Sequence, residues 1–173
     1  FETDNDFFIV GIKNNNGIFK QEFLQKLEAL TDTLRKIEFI NSIKSPTSLK
    51  FPVAGPFGVI TVPYIHTDKP EFYKTDSARI YESENLVGSL FSEDGKIVSI
   101  QLKHEEELVK SQIDQLVLNV ENTVASFDFD ETHIVGKIRG QHYFTEQMIF
   151  ELLLFVGISI ILVSLFLYFS FLL

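Results

Sequence analysis

Four histidines, His66, His104, His133 and His142, are the first residues to weigh for metal or acid–base chemistry. No two stand at His-x-x-x-His or His-Glu-x-x-His spacing, which would set two imidazoles on one helix face toward a zinc ion. As scattered single residues they read as surface or strand-edge histidines. "DFDE" at 128–131 imitates the start of a calcium loop but lacks the glycine and the distal glutamate such a loop needs. It reads as a solvated loop, and so does "TDND" at 3–6. Serine, histidine and aspartate are all present, yet no Gly-x-Ser-x-Gly elbow presents a nucleophile and no glycine-rich loop cradles a phosphate. The absence of cysteine removes thiol catalysis, disulfides and zinc ribbons. The chemistry-bearing residues thus point away from an enzyme, and neither a cofactor nor a metal is expected.

Charge narrows the partners. The net charge of −9 lies wholly within residues 1–151, because Glu151 is the last charged side chain. So acidic a segment, with no basic cluster, repels polyanions, and no nucleic-acid partner is expected. No Asn-x-Ser/Thr sequon occurs. Six of the 18 phenylalanines fall at or after Phe144.

Hydrophobic periodicity sets out the elements. "DFFIVGI" at 6–12 is a short apolar run closed by "KNNNG", a buried strand followed by a turn. Phe19, Phe23, Leu27, Leu30, Leu34 and Ile37 recur at steps of three and four, one face of an amphipathic helix. "FINSI" at 39–43 is a second strand, stopped at Ser45-Pro46. In "LVGSLFSEDGKIVSIQLKH", Asp94-Gly95 between two strand-like runs predicts a hairpin, with Val98, Ile100 and Leu102 facing inward. The acidic residues 105–107 favour a helix N-terminus. Val109, Ile113, Leu116, Val120, Val124 and Phe127 then form a second stripe. "HIVGKI" at 133–138 closes the series as a strand. The order is strand-helix-strand twice, which predicts an α+β, ferredoxin-like βαβ-βαβ sandwich with both helices on one face.

An insertion over about 47–93 stands outside that plan. It opens with "LKFPVAGPFGVITVPYI", apolar and punctuated by proline and glycine, and continues into a short helix near 71–81. The apolar residues, Phe51, Phe57, Tyr64 and Ile65 among them, could line a surface for a lipid-like ligand or a neighbouring domain. They could instead cap the open end of the sandwich core, and the cost of exposing so much apolar surface favours the cap.

Residues 152–173 contain no charge. A helix of that length covers about 33 Å, enough to cross a hydrocarbon core, and predicts one transmembrane helix. The chain therefore divides into a soluble domain, 1–142, and a lead-in plus span, 143–173. Lys137 and Arg139 before the span hint at a cytoplasmic domain by the positive-inside rule.

The order of these motifs resembles a known family. "FETDNDFFIVGI", then "GIFKQEFLQKLEALTDTLRKIEFINSIKSPT", is similar to the first periplasmic loop of resistance-nodulation-division transporters, on the branch of large mycobacterial membrane proteins and Patched-like proteins. "LVGSLFSEDGKIVSIQL" resembles that family's Asp-Gly hairpin, and "HIVGKIRGQHYFTEQM" its approach to the second span. Pro46 departs from the pattern, which often has leucine there. The resemblance implies a piece of a proton-driven exporter of lipid-like or hydrophobic substrates, comprising the periplasmic porter domain and the second span. It implies a bacterial inner membrane with the domain outside the cytoplasm, against the hint from Lys137 and Arg139. The partners implied are the lipid bilayer, the other transmembrane helices and a second porter domain. The alternative is a membrane-anchored extracytoplasmic sensor or binding domain of a signalling protein.

Overall fold

The computed structural model describes residues 7–55 and 58–172, with the backbone alone at 138, 141, 142, 145, 146 and 172. A four-stranded sheet has the order β2-β5-β1-β6, from β1 (Phe7–Lys13), β2 (Ile40–Lys44), β5 (Ile97–His104) and β6 (Glu131–Gly136). Every neighbouring pair is antiparallel. β1 and β5 sit at the centre, and the pairing of Val10 with Ile100 sets Phe8, Val10 and Ile12 beside Leu102, Ile100 and Val98 on one face. All six are fully buried. The period-two pattern read from the sequence is the cause, since alternate side chains leave a strand on opposite sides. On the other face Ile9, Gln101, Lys103 and His133 meet solvent or lie half-buried.

Two helices cover the apolar face. α1 (Gln21–Leu34) buries Phe23, Leu24, Leu27, Leu30 and Leu34, and α3 (Lys110–Ala125) buries Leu116, Val117, Val120 and Val124. These residues and the inward strand residues form one cluster. Buried polar groups are paired: Thr31 donates to the Leu27 carbonyl, and its hydroxyl lies 2.8 Å from that of Ser45. His104, buried at the end of β5, places Nδ1 2.6 Å from the Glu105 carbonyl, with its ring edge-on to Phe8. It is a core histidine.

Several sequence expectations are corrected. The first arm of the expected Asp94-Gly95 hairpin forms no strand. Leu86 instead organises a turn over 86–91, and Phe91 alone bridges to Val98. The turn itself holds: Gly95 at φ +66 supplies the left-handed residue, while the Ser92 hydroxyl donates to Asp94, whose carboxyl is held below its usual range by that bond. α3 begins at Lys110, so Glu105, Glu106 and Glu107 lie before the helix, Glu107 at φ 58. The last strand ends at Gly136, not 138. A Cβ on Gly136 would lie 2.8 Å from the Phe7 carbonyl, so no side chain fits, and Lys137 already starts α4 (Lys137–Leu172). Asp6 of the expected first strand lies outside the described residues.

α4 runs 36 residues without a break. Within it Gln147–Phe171 is long and apolar enough to cross a membrane, and none of its most apolar window is buried against the domain. The sandwich predicts its own weak points. Leu30→Ala or Leu116→Ala, each at a fully buried site, is expected to cost about 2–5 kcal/mol in denaturant unfolding of the detergent-solubilised chain.

Candidate functional site

The insertion departs most from a minimal two-layer sandwich. The apolar stretch forms a hairpin, β3 (Lys50–Gly55) with β4 (Gly58–Pro63), in register Val53 to Ile60. No strand is expected here from the sequence, yet Val53, Val59, Ile60 and Val62 favour extended backbone, and Pro52 and Pro63 sit in a two-stranded ribbon with open edges. The hairpin is its own two-stranded sheet and joins neither edge of the main one. Its outer half is in water, with Val59 75% exposed and Ile60 55% exposed. The expected cap over the core is therefore confined to the hairpin's foot.

A buried carboxylate organises that foot. After β4 the chain reaches His66, and α2 (Tyr73–Tyr81) presents Asp76, whose side chain is 1% exposed. Asp76 accepts the His66 backbone N–H at 2.9 Å, and His66 Nδ1 lies 3.0 and 3.2 Å from its two oxygens. Because carboxylate oxygens only accept, Nδ1 carries the proton. Arg79, one turn on, donates to the same carboxylate at 3.4 Å and lays its guanidinium 4.3 Å from the Phe51 ring centroid. Phe51 packs on Tyr64 at 4.9 Å, and His66 stacks on Phe72 at 4.6 Å. A carboxylate buried without donors would be costly, so the three donors define where the hairpin leaves the body.

The four residues singled out in the sequence divide accordingly. Phe51 and Tyr64 come together, half-buried, at the foot. Ile65 is 2% exposed and belongs to the core, so its side chain offers no surface to a ligand. Phe57 lies outside the described residues. The apolar surface that solvent reaches is carried instead by Val53, Val59 and Ile60. Asp76, His66 and Arg79 escaped the sequence reading because Asp76 and His66 are ten positions apart on different elements and match no motif. Only the one-turn spacing of Asp76 and Arg79 on a helix was visible.

A second polar cluster joins the domain to α4. Arg139 Nε donates to Glu121 of α3 at 2.6 Å and its Nη1 to the Ile134 carbonyl at 3.0 Å. The Tyr143 hydroxyl donates to the same Glu121 carboxylate at 3.0 and 3.2 Å. That hydrogen bond, ahead of partial desolvation, holds the Tyr143 phenol above its usual range, while Arg139 opposes the shift.

An open groove of about 500 Å³ lies between the end of β1, the start of α1 and the loop before β6, lined by Lys13, Lys20, Lys26, Phe23, Phe129 and Asp130 among others. Several of its charged side chains have partners at its rim, and Asp130 accepts the Asn15 backbone N–H at 2.7 Å. Lys13 pairs with Glu131 at 2.9 Å, which with His133 holds that carboxyl below its usual range, and Lys26 donates to the Asp128 carbonyl. Among the described residues no group of three histidine, aspartate or glutamate side chains could hold a metal ion. No protein-family model matches the chain, and no curated protein matches it.

The Asp76 cluster carries a local prediction. Asp76→Ala leaves the His66 N–H and the Arg79 guanidinium short of their acceptor, and is expected to cost about 1–3 kcal/mol. Amide exchange over 58–66 should speed up before exchange in β1 and β5. Equal acceleration everywhere would show that Asp76 supports the whole sandwich and not the foot of the hairpin.

Proposed function

We propose that this chain is the extracytoplasmic porter domain and one transmembrane span of a proton-driven exporter of the resistance-nodulation-division type, acting on lipid-like or other hydrophobic substrates. The observation that carries the reading is the sheet order joined directly to an apolar helix. With the hairpin set aside, the four main strands lie in chain order 2-3-1-4, all antiparallel, with both helices on one face. That order supports reading the domain as a ferredoxin-like sandwich. It passes without a linker into a helix with a 25-residue apolar stretch, Gln147–Phe171, read here as the span. The bacterial inner membrane and a periplasmic domain follow from the family resemblance, as do the second porter domain and the remaining spans as partners.

Within this reading the hairpin is the contact element. Residues 51–65 carry no charge, its outer half is exposed, and its foot is fixed by Asp76. Such a ribbon suits contact with an apolar substrate or a neighbouring domain. A membrane-anchored sensor is the second reading, favoured by the same linker-free junction, which would serve signal transfer equally. Sequence flanking this segment in its gene separates the two: a series of further apolar spans supports the exporter, a kinase or cyclase domain the sensor.

The exporter reading is tested on the full-length protein in cells. Val59→Glu and Ile60→Glu, both at exposed sites, are expected to lower export of a hydrophobic dye severalfold while circular dichroism and the melting temperature of the domain stay unchanged. Undiminished export by both variants would remove the hairpin from the contact role. Glu151→Gln should leave export intact, because residues 152–173 hold no carboxylate, amine or imidazole to continue a relay, and Glu151 lies only one turn inside the apolar segment, where its carboxylate can still reach water.

A further inference from the structure

The junction between domain and helix has a geometry of its own. α4 spans about 54 Å as a helix of 36 residues, whereas a hydrocarbon core is about 30 Å thick. The segment suited to the membrane begins at Gln147, so the ten residues from Lys137 to Glu146 stand outside it. Those first turns are held by two elements of the domain. Arg139 is pinned to Glu121 of α3 and to the Ile134 carbonyl of β6, and Tyr143, one turn on, reaches the same Glu121 carboxylate. The Arg139 guanidinium also lies 5.2 Å from the Tyr143 ring centroid. One carboxylate on the soluble body thus receives donors from two successive turns of the helix that leaves it. A single tether would leave α4 free to swivel about Gly136. Two tethers a turn apart set both its direction and its rotation about its own axis.

We infer that Glu121 is a positioning residue which clamps the first two turns of α4 to the soluble domain, so that domain and membrane helix move as one rigid lever. The inference rests on reading Gln147–Phe171 as a span, but on neither the exporter nor the sensor reading. The other groups facing the cluster are consistent with it. Tyr143 remains a protonated donor because its bond to Glu121 raises the phenol, and the Glu121–Arg139 pair is partly shielded from water, with side chains 22% and 38% exposed. A pair of that kind holds orientation better than a fully solvated one. Helix continuity from Lys137 into the apolar segment then carries any tilt of the domain to the membrane, since no glycine pair or proline interrupts it.

The absence of cysteine makes the test clean. Spin labels at Gln115→Cys on α3 and Phe150→Cys on α4, in the chain reconstituted into phosphatidylcholine nanodiscs, report the angle between domain and helix by electron–electron double resonance. Both sites are exposed. With the clamp intact the distance distribution is expected to be narrow. In Glu121→Ala and Arg139→Ala it should roughly double in width while circular dichroism remains unchanged. Glu121→Gln keeps the shape and one acceptor oxygen, guards against an Ala variant that fails to fold, and should broaden the distribution by a smaller amount. An unchanged width in Glu121→Gln and Arg139→Ala, or a broad distribution before any substitution at the clamp, overturns the lever. A Phe150 label reached by aqueous nickel chelate and not by oxygen would instead overturn the span reading, and the two failures are distinguishable.

Discussion

Everything in the soluble domain follows from a sheet with only one apolar face. β1 and β5 alternate strictly, so Phe8, Val10, Ile12, Val98, Ile100 and Leu102 face one way and Ile9, Ser99, Gln101 and Lys103 the other. Two helices with apolar stripes must then share a single face, because the opposite face would offer them polar neighbours. Burying each large side chain contributes about 1.5–3 kcal/mol, and the buried residues of both helices gather with the inward strand residues in one cluster. Side-by-side helices in turn place the two crossovers, and these put β2 and β6 on the edges. The strand order is thus a consequence of where oil can go.

The two edges hand the chain on to different tasks. β2 leads into the insertion with its exposed hairpin, and β6 leads directly into α4, so the two features are attached at opposite sides of the sheet. Each attachment lies where the hydrophobic core runs out and is secured by a carboxylate with several donors, Asp76 at one and Glu121 at the other. Apolar packing stabilises without direction; charge-assisted hydrogen bonds are directional and fix orientation. A ribbon or a helix that leaves the core needs the second kind of interaction. The domain uses both, in separate places.

How much of this was legible in the sequence depended on the range of the interaction. The stripes of α1 and α3 and the alternation of β5 are local patterns, and they marked helices and strand with ends within a few residues. The hairpin was missed as a strand pair because its prolines and glycines read as breakers, although Val53, Val59, Ile60 and Val62 carry strand propensity. The fastening carboxylates were invisible for a different reason. Asp76 with His66 and Glu121 with Arg139 are separated by ten and 18 positions and obey no spacing rule, being set by how elements dock. Phe51, Tyr64 and Ile65 were singled out for apolarity alone, which cannot tell a core residue such as Ile65 from an exposed one such as Val59.

The apolar part of α4 has its own logic. The helical backbone pairs its own polar groups, and the Ser159 hydroxyl donates to the Phe155 carbonyl one turn back; the hydroxyls of Ser164, Tyr168 and Ser170 are the other polar groups after Glu151. Ionisable groups inside a membrane are costly and mark ion and proton pathways, and beyond Glu151 this helix carries no carboxylate, amine or imidazole to form one. On the lever proposed above, movement of the domain reaches this helix through the turns at Arg139 and Tyr143. An uninterrupted helix with its charged contacts gathered at one end is the simplest way to carry such a movement across an apolar layer, because bending would break backbone hydrogen bonds where no water replaces them.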